Sequence, residues 1–315
     1  MKKKYDTTVL GLYVLDILGR PVSKIPDGGN LAYIDELRLT VAGTAGGTVI
    51  DCAKLGVSTL GVGAVGDDEK ADFVISTLEK FGVDTIGFER LKGVPTSSTI
   101  LNIRPNGERP ALHLRGACDY FLPPNKKKVD IYDCKVFHLG GTGLLKKLDG
   151  PVSVDVLKEA KSRDCITTWD LIGATKETSS MVNPLLPYID YFMPSIEEAS
   201  IMCGLENPED IAKYYIDGGV KNCVLTMGGE GSLFMNKDHK IITPAFDINV
   251  VDTTGCGDAF DAGMIVSIIK DMDIETSLKF ATITSGLVAT GLGSDAGIIN
   301  FDDCIDKMNT YKIKK

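Results

Sequence analysis

The chemistry of this 315-residue chain concentrates in VDTTGCGDAFDAG, residues 251–263, where Asp252, Thr254, Gly255, Cys256, Gly257 and Asp258 precede an apolar run. Small residues directly before Ala259–Ile269, which reads as a buried helix, place a helix amino terminus there. Its unpaired N–H groups and positive dipole end attract anions, and glycine lets an anion approach the backbone closely. Gly255, Cys256 and Gly257 therefore outline an anion hole. Asp258 at its mouth has two local readings. It is a base that takes a proton from an attacking hydroxyl while the amides stabilise a transferring phosphoryl group, or it merely caps the helix. The stretch is not a Walker A loop, because no Gly-Lys-Ser/Thr follows, and not a dinucleotide fingerprint, because Phe260 stands in the third glycine's place. A thiol at a helix amino terminus predicts a lowered pKa at Cys256, so that oxidation or alkylation there would block the phosphate site.

The elements that must position this loop follow from patterning. Strand-type runs at 7–12, 58–66, 135–141, 165–170, 188–194 and 222–229 alternate with helix-type runs near 46–55, 68–81, 153–162, 195–204 and 208–217. Such alternation predicts an α/β fold with a largely parallel sheet covered on both faces and a site on the loops after the strands. Two stretches break the rhythm, 31–43 and 97–117, the second with strand-like halves around Asn106-Gly107, a hairpin signal. A small β flap that covers a ligand explains both; surface strands without function, or strands used only for dimerisation, are the alternatives.

Composition excludes several classes. With 43 acidic against 34 basic residues the formal charge is −9, the wrong sign for a nucleic-acid reader. No apolar run approaches a membrane span and no secretion signal is visible, so a soluble protein without membrane contact is expected. Eight dispersed cysteines without a Cys-x-x-Cys pair predict reduced thiols and a cytoplasmic location.

The DTTGCGDAF segment resembles the carboxyl-terminal signature of the ribokinase-like carbohydrate kinases, the PfkB family, usually Asp-Thr-x-Gly-Ala-Gly-Asp, with cysteine in the alanine position. Further stretches agree in order. LGLYVLDILGRPV is similar to the family's first strand and matches its sugar-binding aspartate with Asp16; a buried carboxylate can accept two hydroxyl hydrogen bonds, as a sugar diol requires. VAGTAGGTVIDCAKLG resembles the Gly-Gly segment, placing Ala42-Gly43 at the glycine pair and Gly47 where an asparagine commonly contacts substrate, both departures. YFMPSIEEASIMCG is similar to the Asn-x-x-Glu region, with Ser195 for asparagine and Glu198 kept; locally it is a Ser-x-x-Glu capping box. CVLTMGGEGSLF matches the nucleotide loop through Thr226, Gly228 and Gly231, which alone would read as a turn, and residues 277–297 resemble the adenine wall.

The resemblance implies one domain over residues 1–315, a ribokinase-like three-layer Rossmann-type sandwich with a β-sheet lid from about 12–43 and 97–117. It implies phosphorylation of a hydroxymethyl group of a neutral sugar by ATP, with Asp258 as base, Gly255, Cys256 and Gly257 as anion hole, and Asp16, Gly43 and Gly47 around the sugar. Thr226, Gly228 and Gly231 would hold ATP, and Glu198 would organise Mg²⁺ through water. Asp252 and Thr254 match positions that offer oxygens to a monovalent cation, potassium in many relatives, and the lid would pair with a second copy in a homodimer. A phosphosugar would need cationic lid residues, for which Arg104, Arg109 and Arg115 are candidates. A nucleoside or phosphosugar kinase, or a catalytically weak sugar-binding regulatory protein, are the alternatives.

Overall fold

In the computed structural model, which describes residues 3–106 and 108–314, the chain enters through β1 (Tyr5–Gly11) and leaves the main body for β2 (Val14–Arg20) and β3 (Glu36–Ala42). It returns through α1 (Thr44–Lys54) to β4 (Thr59–Val62), β5 (Ala64–Val65), α2 (Glu69–Lys80) and β6 (Glu89–Arg90). A second excursion forms β7 (Ser98–Asn102) and β8 (Ala111–Leu114). Then come β9 (Cys134–Thr142), α3 (Pro151–Ser162), β10 (Ile166–Leu171), α4 (Thr178–Val182), β11 (Tyr191–Phe192), α5 (Ile196–Cys203) and α6 (Pro208–Asp217). The last part is β12 (Asn222–Thr226), β13 (Ser232–Met235), β14 (Lys240–Thr243), α7 (Cys256–Ile269), α8 (Ile274–Val288) and α9 (Phe301–Thr310).

The main sheet has eight strands in the order β14-β13-β12-β11-β10-β9-β1-β4, parallel from β12 to β4 with β13 and β14 antiparallel at one edge. Its strands are apolar on both faces because both are covered. Along β9, Phe137 and Leu139 pack with α3, α5 and α6, while Val136 turns to the layer of α1, α7, α8 and α9. Strand 58–66 splits at Gly63, where a Cβ would stand 2.5 Å from the Tyr13 ring. The predicted strand 188–194 shrinks to two residues between Pro187 and Pro194, neither of which can donate to a ladder.

The two excursions meet in a four-stranded sheet, order β3-β2-β7-β8, the predicted flap. Asp16 lies on β2, in this flap, rather than on the first strand of the main sheet, and the predicted strand from residue 31 begins only at Glu36. β7 and β8 pair antiparallel as a hairpin; the Gly107 of its predicted turn lies outside the described residues. Period-two alternation separates the faces. One cross-strand row is Thr40, Asp16, Thr99 and His113, and the adjacent row is Leu39, Ile17, Ile100 and Leu112. The polar row carries Asp16, which is 6% exposed, whereas Leu39, Ile100 and Leu112 are exposed.

Candidate active site

Helix α7 starts at Cys256, three residues before the predicted Ala259. Gly255 takes a left-handed φ of 79°, and a Cβ there would come 2.4 Å from the Ser294 side chain, so only glycine fits. A Cβ on Gly257 would meet nothing within 4 Å, which leaves room beside the first amides of the helix. Asp258 is the third helical residue and Gly255 occupies the capping position without a side-chain bond, so the capping reading of Asp258 does not hold. Its carboxylate makes no hydrogen bond to another residue's side chain among the described residues. Burial, then the charges of Asp16 and Glu198, push it up to about 7. Burial and the charge of Asp252 lift Asp16 on the flap to about 7 as well, against a hydrogen bond from Thr99 and the charge of Arg109. A carboxylate near 7 is a matched base for a hydroxyl at neutral pH.

Helix α1 crosses beneath this carboxylate. Gly43 caps it with φ 84°, and a Cβ there would lie 2.5 Å from the Leu12 carbonyl. Gly47 is inside the helix, and its missing Cβ would stand 2.3 Å from Asp258 Oδ2. Its neighbour Thr48 donates to the Asp258 carbonyl at 3.2 Å. In this packing a side chain at 47 would have to displace the Asp258 carboxylate.

The loop before α7 is held from the lid. Thr254 donates to Asp252 Oδ1 through its N–H at 3.0 Å and its hydroxyl at 2.8 Å, and Gly293 N–H donates to Oδ2 at 3.0 Å. Arg109, beyond the turn of the lid hairpin, places Nη1 2.5 Å from Thr254 Oγ1 and 3.5 Å from Asp252 Oδ1. Arg104 and Arg115 instead pair at the surface with Glu108 and Asp119. On the opposite lid edge Arg38 bonds the Leu292 carbonyl and Asp295, and Thr40 also donates to Asp295.

A cleft of about 930 Å³, counting its open mouth, runs from this loop toward the sheet edge. Thr226, Gly228 and Gly231 line it, as do Phe246, Ile248 and Val250 on one side and Ser285, Gly286 and Ala289 of the 277–297 wall on the other, and it ends at Cys256 and Gly257. Gly231 has a second reason to be glycine: a Cβ would lie 2.0 Å from the Thr243 carbonyl. Apolar walls continuous with an anion hole suit a planar base bearing phosphates.

Ser195 caps α5, accepting from Glu198 N–H at 3.2 Å, as the local pattern predicts, but its hydroxyl also donates to Glu198 Oε2 at 3.0 Å. Gly173 N–H donates to Glu198 Oε1 at 3.1 Å, and burial raises the carboxyl's pKa. Asp170, at the carboxyl end of β10, was not singled out by sequence. Burial and the charges of Glu198 and Asp258 raise it well above the ordinary range. Crowded carboxylates with raised pKa values fit a divalent cation. Among the described residues no three acidic, His or Cys side chains converge as a closed cage, so such an ion would keep waters.

The expectation for Cys256 is overturned. Burial, then the charge of Asp252, pushes the thiol up to about 12, outweighing the helix terminus. Although Cys256 is half-buried, its alkylation at pH 8 is expected to be much slower than that of a free-thiol standard, as read by peptide mass spectrometry; labelling as fast as the standard would show that the helix terminus governs its thiol.

Residues 8–299 match the pfkB family carbohydrate kinases. The deoxyribokinase of Salmonella typhi is 24% identical over 97% of this chain and 98% of its own, and the Fructokinase-2 of Oryza sativa subsp. japonica is 28% identical over 78% of each. The solved ribokinase of Arabidopsis thaliana, complexed with ribose and ATP, superposes with a TM-score of 0.84 at 21% identity, covering 96% of this chain and 98% of that one. A buried carboxylate on a glycine-led helix terminus, a cleft that ends at that terminus and a match that spans nearly the whole sequence lead to one assignment: the chain belongs to the PfkB family of carbohydrate kinases, phosphotransferases that act on an alcohol group.

Proposed function

We propose that the protein transfers the γ-phosphoryl group of ATP to a hydroxymethyl group of a neutral sugar. One observation carries this reading: Asp258, whose carboxylate bonds no other side chain among the described residues and is lifted to about 7, stands between the amides that open α7 and the lid's Asp16 row. Thr40, Asp16, Thr99 and His113 offer the acceptor's hydroxyls donors and acceptors on one face. Asp258 takes the proton of the attacking hydroxyl, and the amides of Gly255, Cys256 and Gly257 hold the charge on the phosphoryl oxygens. Thr226, Gly228 and Gly231 border the nucleotide, with Ile248 and Gly286 against the base. Glu198 and Asp170 would hold Mg²⁺ through water; when bound, the ion neutralises phosphate charge.

A neutral acceptor is favoured over a phosphosugar because Arg104, Arg109 and Arg115 each already face a carboxylate. The departures at Gly47 and Ser195 do not argue for a disabled binding protein, since Gly47 makes room for Asp258 and Ser195 orients Glu198. ADP release with Mg-ATP across pentoses, hexoses, sugar acids, phosphosugars and nucleosides tests the reading. A strong response to one neutral sugar is expected. Binding of ATP and sugars without any turnover would reject it.

The lid's outer row of Leu39, Ile17, Ile100 and Leu112 supports a homodimer, because a second lid would cover an apolar stripe that spans all four strands. Light scattering is expected to give twice the 33.8 kDa chain mass, and Leu112→Lys to give a monomer. A wild-type monomer at tens of micromolar would reject the pairing. No described helix is long and apolar enough to cross a membrane, and the eight free cysteines support a reducing, cytoplasmic setting.

A further inference from the structure

We propose that Arg109 is the site's built-in monovalent cation: a lid side chain that charges and orders the loop before the anion hole, in place of a free potassium ion. The inference rests on the kinase reading of that loop. The two side chains that would offer oxygens to a metal ion, Asp252 and Thr254, already face a guanidinium at 3.5 and 2.5 Å.

The contacts form a relay. Arg109 donates to the Thr254 hydroxyl, which donates to Asp252 Oδ1 at 2.8 Å, and Thr254 N–H reaches the same oxygen at 3.0 Å. Asp252 is 5% exposed, so its charge needs a counter-ion that the low-dielectric surroundings make strong. The guanidinium supplies one, and it repels a second cation from the same oxygens. Thr254 directly precedes Gly255, the capping residue of α7, so the relay sets where the anion-hole amides point.

The positive charge comes from the lid, 143 residues earlier in the chain than Asp252. Gly293 N–H on Asp252 Oδ2 ties this loop to residues 292–295, which Arg38 and Thr40 grip from the other lid edge. The lid therefore holds both loops at once. An acceptor that binds Asp16 on the lid and draws the lid down over the cleft completes the phosphoryl site in the same movement, which links acceptor binding to catalytic assembly. A free potassium ion would order the loop whether or not the lid was closed.

The experiment uses the full chain in tetramethylammonium, sodium and potassium chlorides at equal ionic strength. Wild-type turnover with Mg-ATP and the best acceptor is expected to agree within about twofold across the three salts. Arg109→Met should lower kcat by about 30-fold in tetramethylammonium, with ATP KM little changed, and potassium or guanidinium chloride should recover at least about fivefold; Arg109→Lys should keep more than about a third of wild-type kcat.

Melting of the substrate-free protein gives a second readout. Potassium should leave the wild-type Tm unchanged and raise that of Arg109→Met. Potassium activation of the wild type by about tenfold, or a potassium-dependent rise in its Tm, overturns the proposal. So does full turnover of Arg109→Met in tetramethylammonium, or a loss shared by the Lys variant and recovered by neither ion, which would confine Arg109 to packing. If no acceptor supports turnover, the kinase reading fails by itself and the melting curves still decide which cation the loop holds.

Discussion

Asp258→Asn is expected to lower turnover by about three orders of magnitude with little change in ATP binding, because the amide keeps the shape and removes the base. Equal turnover would remove Asp258 from the proton transfer. The pH profile follows from the same carboxyl. Lifted to about 7 by burial and by Asp16, it must be ionised to accept a proton, so kcat/KM is expected to rise with pH to a plateau above neutrality. A profile flat from pH 5.5 to 8 would contradict a base with this pKa.

Stability should move the opposite way. A carboxyl whose folded pKa lies above its unfolded value, about 3.9, binds its proton more tightly when folded. The destabilisation is absent below the unfolded pKa, grows as pH rises toward about 7, and is complete above it. Asp258→Asn removes this penalty. The variant is expected to melt higher than wild type at pH 8 and nearly the same at pH 4, so inactivity with increased stability would separate catalysis from misfolding.

Gly47→Ala should produce the second large effect, a fall in kcat of about 10²-fold from a single methyl group. The new Cβ would lie 2.3 Å from Asp258 Oδ2, 2.8 Å from its Cβ and 2.9 Å from its Cγ, so the base must move. Alanine is the better helix former by about 1 kcal/mol, which offsets part of the overlap. Folding should survive while the base is displaced. The loss is expected in kcat rather than in the KM for ATP, whose cleft Gly47 does not line. Wild-type kcat in this variant would show that Asp258 tolerates displacement and that its place on α7 is not critical.

Local pattern alone determined much of this protein. Glycines before an apolar run mark a helix terminus, whose unpaired N–H groups are a property of any helix end and the ground for reading an anion hole there. Period-two alternation and strand-helix succession determined the covered parallel sheet and the flap, since each element must bury one face. Asp16, Thr226 and Glu198 were singled out by the family resemblance rather than by local pattern, which by itself read the Thr226 loop as a turn and Ser195–Glu198 as a capping box.

What the tertiary structure decided depends on distant segments meeting. Gly47 read as a lost substrate contact or as a glycine for tight helix packing, and only the fold shows that α1 and α7 approach so closely that Thr48 bonds the Asp258 carbonyl 210 residues away. Asp170 looked like an unremarkable strand residue until burial beside Glu198 and Asp258 raised its pKa. Cys256 looked activated by its helix, but a thiol's pKa responds to desolvation and to the Asp252 charge, and neither is written in the adjacent residues. Arg109 read as one of three lid arginines that could meet a phosphosugar, until the fold set it on Asp252 and Thr254. Chain-local hydrogen bonding can be read from residue order, whereas burial, steric exclusion and Coulomb partners exist only once the chain has folded back on itself.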